Sequence, residues 1–162
     1  MCPLEKTPFP ACRRYGLGVM VYAPLGGGWL AGKYRRGVEA EDGSRSKGFW
    51  GRTGRWDPER AEVQHKYDLV EELIALAGDA GLALSHLAMA FASEHPAVSS
   101  AIIGPRPFAQ TEELLRGLEG ALPPAVLDRI DALVPPGTTL DARDITASIP
   151  ALEDVRERRR AR

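Results

Sequence analysis

Gly18-Val19-Met20-Val21-Tyr22, running into Ala23-Pro24-Leu25-Gly26-Gly27-Gly28-Trp29-Leu30-Ala31-Gly32-Lys33, decides the reading of this chain. The first five residues form a short apolar, β-branched run bounded by glycine and by Ala23-Pro24. A strand covered on both faces reads this way, as in a parallel sheet. Glycines then take over where such a strand would hand its chain to the C-terminal edge of the sheet. A second run, Val98 to Ile103, has the same character and ends at Gly104-Pro105-Arg106-Pro107. The two segments are expected to be adjacent parallel strands, with Met20 as a core filler.

Between and after them the period changes to that of helices. A short helical end is read at Phe9 to Tyr15. Asp57-Pro58-Glu59 reads as a helix start, with Asp57 capping and Pro58 at the first helical position. Val63, Tyr67, Val70, Ile74 and Ala77 then mark one apolar face, and Gly81 supplies a left-handed stop. Ser85 is the expected cap of a second helix, with Leu84 and Met89 as its staple. That helix ends by His95, because Pro96 disfavours helical geometry before it. Pro107 opens a helix carrying Leu114, Leu115 and Leu118, and the last helix spans about Pro124 to Val134. Residues Tyr34 to Trp56 have no period and read as a long surface loop, which in a compact domain is usually functional or disordered. Strands alternating with helices imply parallel βα units. The organisation expected is one unit over residues 1–140 and a polar, Arg-rich tail over 141–162.

Bulk properties remove several classes. The chain has 162 residues, 44% hydrophobic and 27% charged, with a formal net charge of −1. That balance argues against a polyanion binder, so no nucleic-acid partner is expected, and the five terminal arginines from Arg156 to Arg162 read as solvated. No apolar stretch approaches the roughly 20 residues of a membrane helix, and the start has no signal pattern. Cys2 and Cys12 lack a metal-ligand pattern, so no metal site is expected, and two free thiols suit a reducing cytoplasm. His65, His86 and His95 read as structural.

Two motifs bear on chemistry. Gly27 to Lys33 matches the pattern of a phosphate loop after a strand, which would cradle phosphates with backbone N–H groups and a lysine. The magnesium-holding Ser or Thr of nucleoside-triphosphatases is replaced by Tyr34, which argues against that class. A glycine-rich turn without a ligand would read the same way. Gly104-Pro105-Arg106 sits between a strand and a helix, where free N–H groups, the helix dipole and an arginine favour an anion. Both motifs follow strands, and in parallel α/β sheets ligands bind at those ends.

Tyr22 to Tyr34 resembles the segment after strand seven of the aldo-keto reductases, and Ala101-Ile102-Ile103-Gly104-Pro105-Arg106 that after strand eight, with Gln110 and Glu113 at the family's spacing. Ser44-Arg45-Ser46, Leu87 to Phe91 and His95-Pro96 are similar too. The resemblance covers about residues 9–140. It implies an α/β fold that is part of a (β/α)8 TIM barrel: its last two βα units plus the C-terminal extension. It also implies the NADPH-dependent reduction of carbonyls by hydride transfer. By resemblance, Tyr22 stacks on the nicotinamide, and Pro24, Leu25, Gly26, Gly27 and Lys33 hold the pyrophosphate. Arg45 clasps the cofactor, Arg106 pairs with the 2′-phosphate, Gln110 and Glu113 meet the adenosine, and Gly104 and Ala23 fall in the same cofactor-binding set. Ala23 stands where the family has a cofactor-bonding serine, and Leu114 where it has an adenine-reading asparagine. Each lost bond is worth about 1 kcal/mol.

The family's catalytic Asp, Tyr, Lys and His lie in the first half of its barrel, which nothing here resembles, so no catalytic residue is assigned. The expectation is cofactor-binding loops without the tetrad, and a carbonyl substrate only where an upstream half or a second copy completes the barrel. The alternatives are a non-catalytic nucleotide-binding or barrel-completing module, or a non-functional truncation. A partial barrel leaves strand edges unpaired, so the isolated chain is expected to be oligomeric, aggregation-prone or molten.

Overall fold

The two β-branched runs do form strands. In the computed structural model, which describes residues 3–105, 107–116, 120–144 and 156, β1 (Val19–Tyr22) and β2 (Val98–Ile102) pair in parallel. Val19 lies opposite Val98. After one irregularity, Met20, Val21 and Tyr22 lie opposite Ser100, Ala101 and Ile102. The last pairs are in register, so the segments that leave the strands at Ala23 and Ile103 start side by side. Among the described residues the helices are α1 (Pro8–Arg14), α2 (Ala61–Asp79), α3 (Leu84–Glu94), α4 (Phe108–Arg116) and α5 (Pro124–Leu133). The architecture is α/β, a two-stranded parallel sheet amid helices.

The sheet is covered on one face, where α3 packs on β2. Val19, Val21, Val98 and Ala101 are half-buried, whereas Met20, Tyr22 and Ile102 are 70%, 66% and 50% exposed. This corrects the expectation of two covered faces and of Met20 as core filler. Alternation puts Met20 and Tyr22 on the face that no described element covers. Met89, by contrast, is fully buried. An open apolar face beside unpaired strand edges attracts a second chain. Sedimentation velocity of the isolated chain should therefore show mass rising with concentration, and Met20→Lys should reduce that rise. A clean monomer at every concentration would contradict it.

Helix starts depart from expectation in two places. Asp57 accepts the Glu59 N–H at 3.0 Å and closes a turn, and α2 begins only at Ala61. Ser85 lies inside α3, whose cap position is Ala83. Helix ends agree better. Gly81 takes φ +70° after α2, with the Leu82 N–H donating to the Ala77 carbonyl at 2.8 Å. α3 stops at Glu94, and His95 turns extended before Pro96.

Two apolar clusters hold the helices. Leu69, Leu73 and Ala77 of α2 meet Leu87 and Ala90 of α3 and Ile130 of α5. Trp29, Tyr34 and Trp56 pack on Val63 and Val70 of α2. The second cluster corrects the reading of 34–56 as a plain surface loop, since both its ends are buried aromatics. Its middle carries a short 3-10 turn at Phe49–Thr53, and a Cβ on Gly51 would overlap the Ser46 carbonyl, so the loop folds tightly on itself. Arg35 pairs with Glu71, and Arg36 with Asp68, tying the start of the loop to α2.

The chain just past residue 140 is anchored as well. Asp141 is 3% and Lys66 of α2 is 4% exposed. Lys66 Nζ lies 3.2 Å from Asp141 and 2.8 Å from Asp144. Arg60 donates to Asp141 at 2.8 Å, and Arg55 to Asp144 at 3.1 Å. Most of the expected tail, 145–155 and 157–162, lies outside the described residues. No single helix among the described residues is long and apolar enough to cross a membrane.

Candidate dinucleotide-phosphate site

The chain turns sharply as it leaves β1. Ala23 takes φ +54°, the one positive φ outside glycine among the described residues, in a region where a Cβ costs roughly 1–2 kcal/mol. Such strain clusters at ligand clamps and active sites. Gly26, Gly27 and Gly28 continue with φ of +57°, +74° and +111°. The Gly26 N–H donates to the Ala23 carbonyl at 2.9 Å, and the Gly28 N–H to Leu25 at 3.0 Å. The turn thus satisfies these two amides itself, so an anion placed there would be met mainly by side chains.

Arg45 supplies one. Although it lies 18 residues on, its Nη1 comes within 3.9 Å of where a Cβ on Gly27 would sit. Trp56 lies against the same position, with Cζ2 at 3.3 Å. The long loop therefore folds back so that its guanidinium and its terminal indole both abut the turn. The Trp56 indole N–H is buried without a hydrogen-bond partner. Lys33 is exposed at the end of the turn. Gly104 leaves β2 next to this loop, by the strand register.

The remaining expected residues are less concentrated. Tyr22 projects from the open sheet face. Pro24, Leu25, Gly26 and Gly27 are half-buried in the turn. Arg106 lies outside the described residues, between Pro105 and the start of α4. Gln110 and Glu113 are half-buried on α4. Glu113 is engaged within the protein, its carboxylate 2.9 Å from His86 Nε2 and 3.6 Å from Arg116. Leu114 is 3% exposed and belongs to the packing of α4.

An aromatic floor lies beneath the turn. Trp29, Tyr34 and Trp56 are each under a tenth exposed, with ring centroids 5.2 Å apart for Trp29–Tyr34 and 5.8 Å for Tyr34–Trp56. Tyr34 fills the space over Gly28, within 3.1 Å of a Cβ there. That contact, with φ near +111°, makes Gly28→Ala costly by about 2 kcal/mol, through strain and displacement of the Tyr34 ring. A urea midpoint unchanged in Gly28→Ala would show that the turn is not fixed as described.

The other titratable groups read as structural. His95 stacks on Phe9 at 4.3 Å and accepts the Ala97 N–H through Nδ1 at 3.1 Å. Burial pushes the Tyr67 phenol up, Arg36 pulls it down, and Tyr34 adds to the rise. Among the described residues no group of three or more His, Cys, Asp or Glu is placed to hold a metal. A cavity of about 330 Å³ lies along β2 from Val98 to Ile103, between Met89, Ser93 and Leu115.

Comparison with known proteins adds to this geometry. A model of the Aldo/keto reductase family matches residues 3–135. A Schizosaccharomyces pombe protein named as a voltage-gated potassium channel subunit beta is 32% identical over 133 residues, 80% of this chain and 38% of its own. The human aflatoxin B1 aldehyde reductase member 2 is 31% identical over 140 residues, 77% of this chain and 38% of its own. The uncharacterized oxidoreductase YrpG of Bacillus subtilis is 29% identical over 132 residues, 81% of this chain and 36% of its own. The chain thus spans less than two fifths of the length of these curated relatives.

Proposed function

The chain belongs to the aldo/keto reductase family, and from that premise we propose that it carries the phosphate-binding end of an NADPH site without the catalytic tetrad. The fold it contributes is the last two βα units of a (β/α)8 barrel and part of the C-terminal extension. The observation that carries this reading is the meeting of Arg45 and Trp56 at Gly27, in the turn that leaves β1 beside the end of β2.

The residues fit a dinucleotide phosphate. Lys33 and Arg45 supply positive charge, and glycines keep the backbone bare where phosphate approaches. Tyr22, exposed at the end of β1, is the expected platform for the nicotinamide. When bound, the cofactor supplies a hydride for a carbonyl carbon. Reduction also needs a proton donor within about 3 Å of the developing alkoxide. Tyr34 lies over Gly28 but is only 4% exposed, walled in by Trp29 and Trp56, and Tyr67 is held edge-on against Trp29, so both tyrosines are engaged in packing. Carbonyl reduction is accordingly assigned to a completed barrel, in the cytoplasm.

The open sheet face favours a second reading, a barrel-completing module that acts only with an upstream half or another copy. Fluorescence titration of the purified chain with NADPH tests the first. Saturable enhancement of cofactor emission, without consumption of NADPH when simple aldehydes are added, is the expected result. Turnover well above background would overturn the absence of a tetrad, and no binding would overturn the site.

A further inference from the structure

We propose that the turn Asp141–Asp144 is a strap that positions the dinucleotide-phosphate turn, acting through Arg55 and Trp56; the ligand in this statement rests on the reading just given. Four contacts carry it. Asp144 accepts from Arg55 at 3.1 Å. The Arg55 guanidinium lies over the Trp56 ring, 5.1 Å from its centre. The edge of that ring lies against Gly27, where Arg45 also arrives. Arg60 grips Asp141 at 2.8 Å and the Gly54 carbonyl at 3.0 Å, so the backbone just before Arg55 is fixed to the strap as well.

The anchor beneath the strap is buried, whereas the loop it restrains is mostly exposed. Lys66 holds both aspartates from a buried position on α2, with its ammonium 5.7 Å from the Trp29 ring. The loop from residue 37 to 53 is largely exposed and meets the glycine turn through Arg45, while the buried Trp56 just beyond it meets the same glycine. Without Asp144, Arg55 would lose its acceptor and Trp56 its lid. Gly27 and Arg45 would then explore more positions, and a ligand would have to reorder them. Asp144 and Arg55 are therefore positioning residues for the site.

Hydrogen exchange and NADPH titration on the 162-residue chain test this together. Asp144→Asn removes the tie from one side. Arg55→Gln removes it from the other and leaves the Lys66 pairs in place. Leu127→Ala, in α5 and away from the loop, is a control for general loss of stability. Exchange at residues 26–28 and 44–56 should quicken about tenfold in both loop variants, with α3 unchanged. NADPH affinity should fall about tenfold in both. Leu127→Ala should lower the urea midpoint without selective change in those segments. Unchanged exchange at 26–28, or the same change in Leu127→Ala, would overturn the strap. Faster exchange with undiminished NADPH affinity would overturn its role in binding. Should the unmodified chain not bind NADPH, the dinucleotide reading fails, and exchange alone still decides whether the strap sets the turn.

Discussion

Asp141→Ala is expected to lower the unfolding free energy by about 3 kcal/mol, because removing one partner of a buried ion pair strands the other. Lys66 has 5% of its side chain exposed and Asp141 2%. The loss falls at the low end of the usual range, since Asp144 still holds Lys66 and Arg60 is partly solvated. Denaturant unfolding should show a lower midpoint at unchanged slope. Adding Lys66→Met should recover part of the loss, because no ammonium is then left buried. A single-variant loss below about 1 kcal/mol would mean that the cluster is far better hydrated than described.

Acid should act through the same carboxyl. Burial alone would push the Asp141 carboxyl up. The hydrogen bond from Arg60, the Arg143 N–H and the charge of Lys66 override it, so the group ends well below its ordinary 3.8. A carboxyl lowered in the folded state stabilises fully above its unfolded value and loses that contribution as pH falls through the folded one. The unmodified chain should lose this contribution below about pH 4, and Asp141→Ala should show a shallower acid limb.

Arg106→Ala is expected to weaken NADPH by roughly 10–150-fold, the equivalent of about 1.5–3 kcal/mol for a charge-assisted hydrogen bond. NADH, which lacks the 2′-phosphate, should weaken much less. The prediction rests on position. Arg106 follows Gly104, where the chain leaves β2, and precedes α4, whose first N–H groups favour an anion. Parallel titrations with the two cofactors check it. Equal losses would place Arg106 away from the 2′-phosphate.

What could be read from the sequence was local. β-branched runs marked the strands, and their alternation with helices pointed to the parallel pairing. Gly81 and Pro96 gave helix ends, because backbone preference acts at the residue itself. Asp57 was misread because its carboxylate can close a turn as readily as cap a helix, and the two choices share one sequence signature. Met20 was misread because burial of a strand face depends on what lies across it. The site was half legible. Glycines and charges marked the turn, but the approach of Arg45 to Gly27 depends on how a periodless loop folds. Lys66 gave no signal at all. A lysine is almost never buried unless paired, and its partners lie 75 and 78 residues away.

That separation sets an order of events during synthesis. A ribosome adding about 5–20 residues per second needs about 4–15 s to go from Lys66 to Asp141. Until then the Lys66 ammonium keeps its water, since desolvating an unpaired charge is prohibitive. Helix α2 can form in that interval, but its Trp29 side cannot close, and the indoles of Trp29 and Trp56 stay within reach of chaperones. The glycine turn and its loop thus set only after residues synthesised about 75 positions later have emerged.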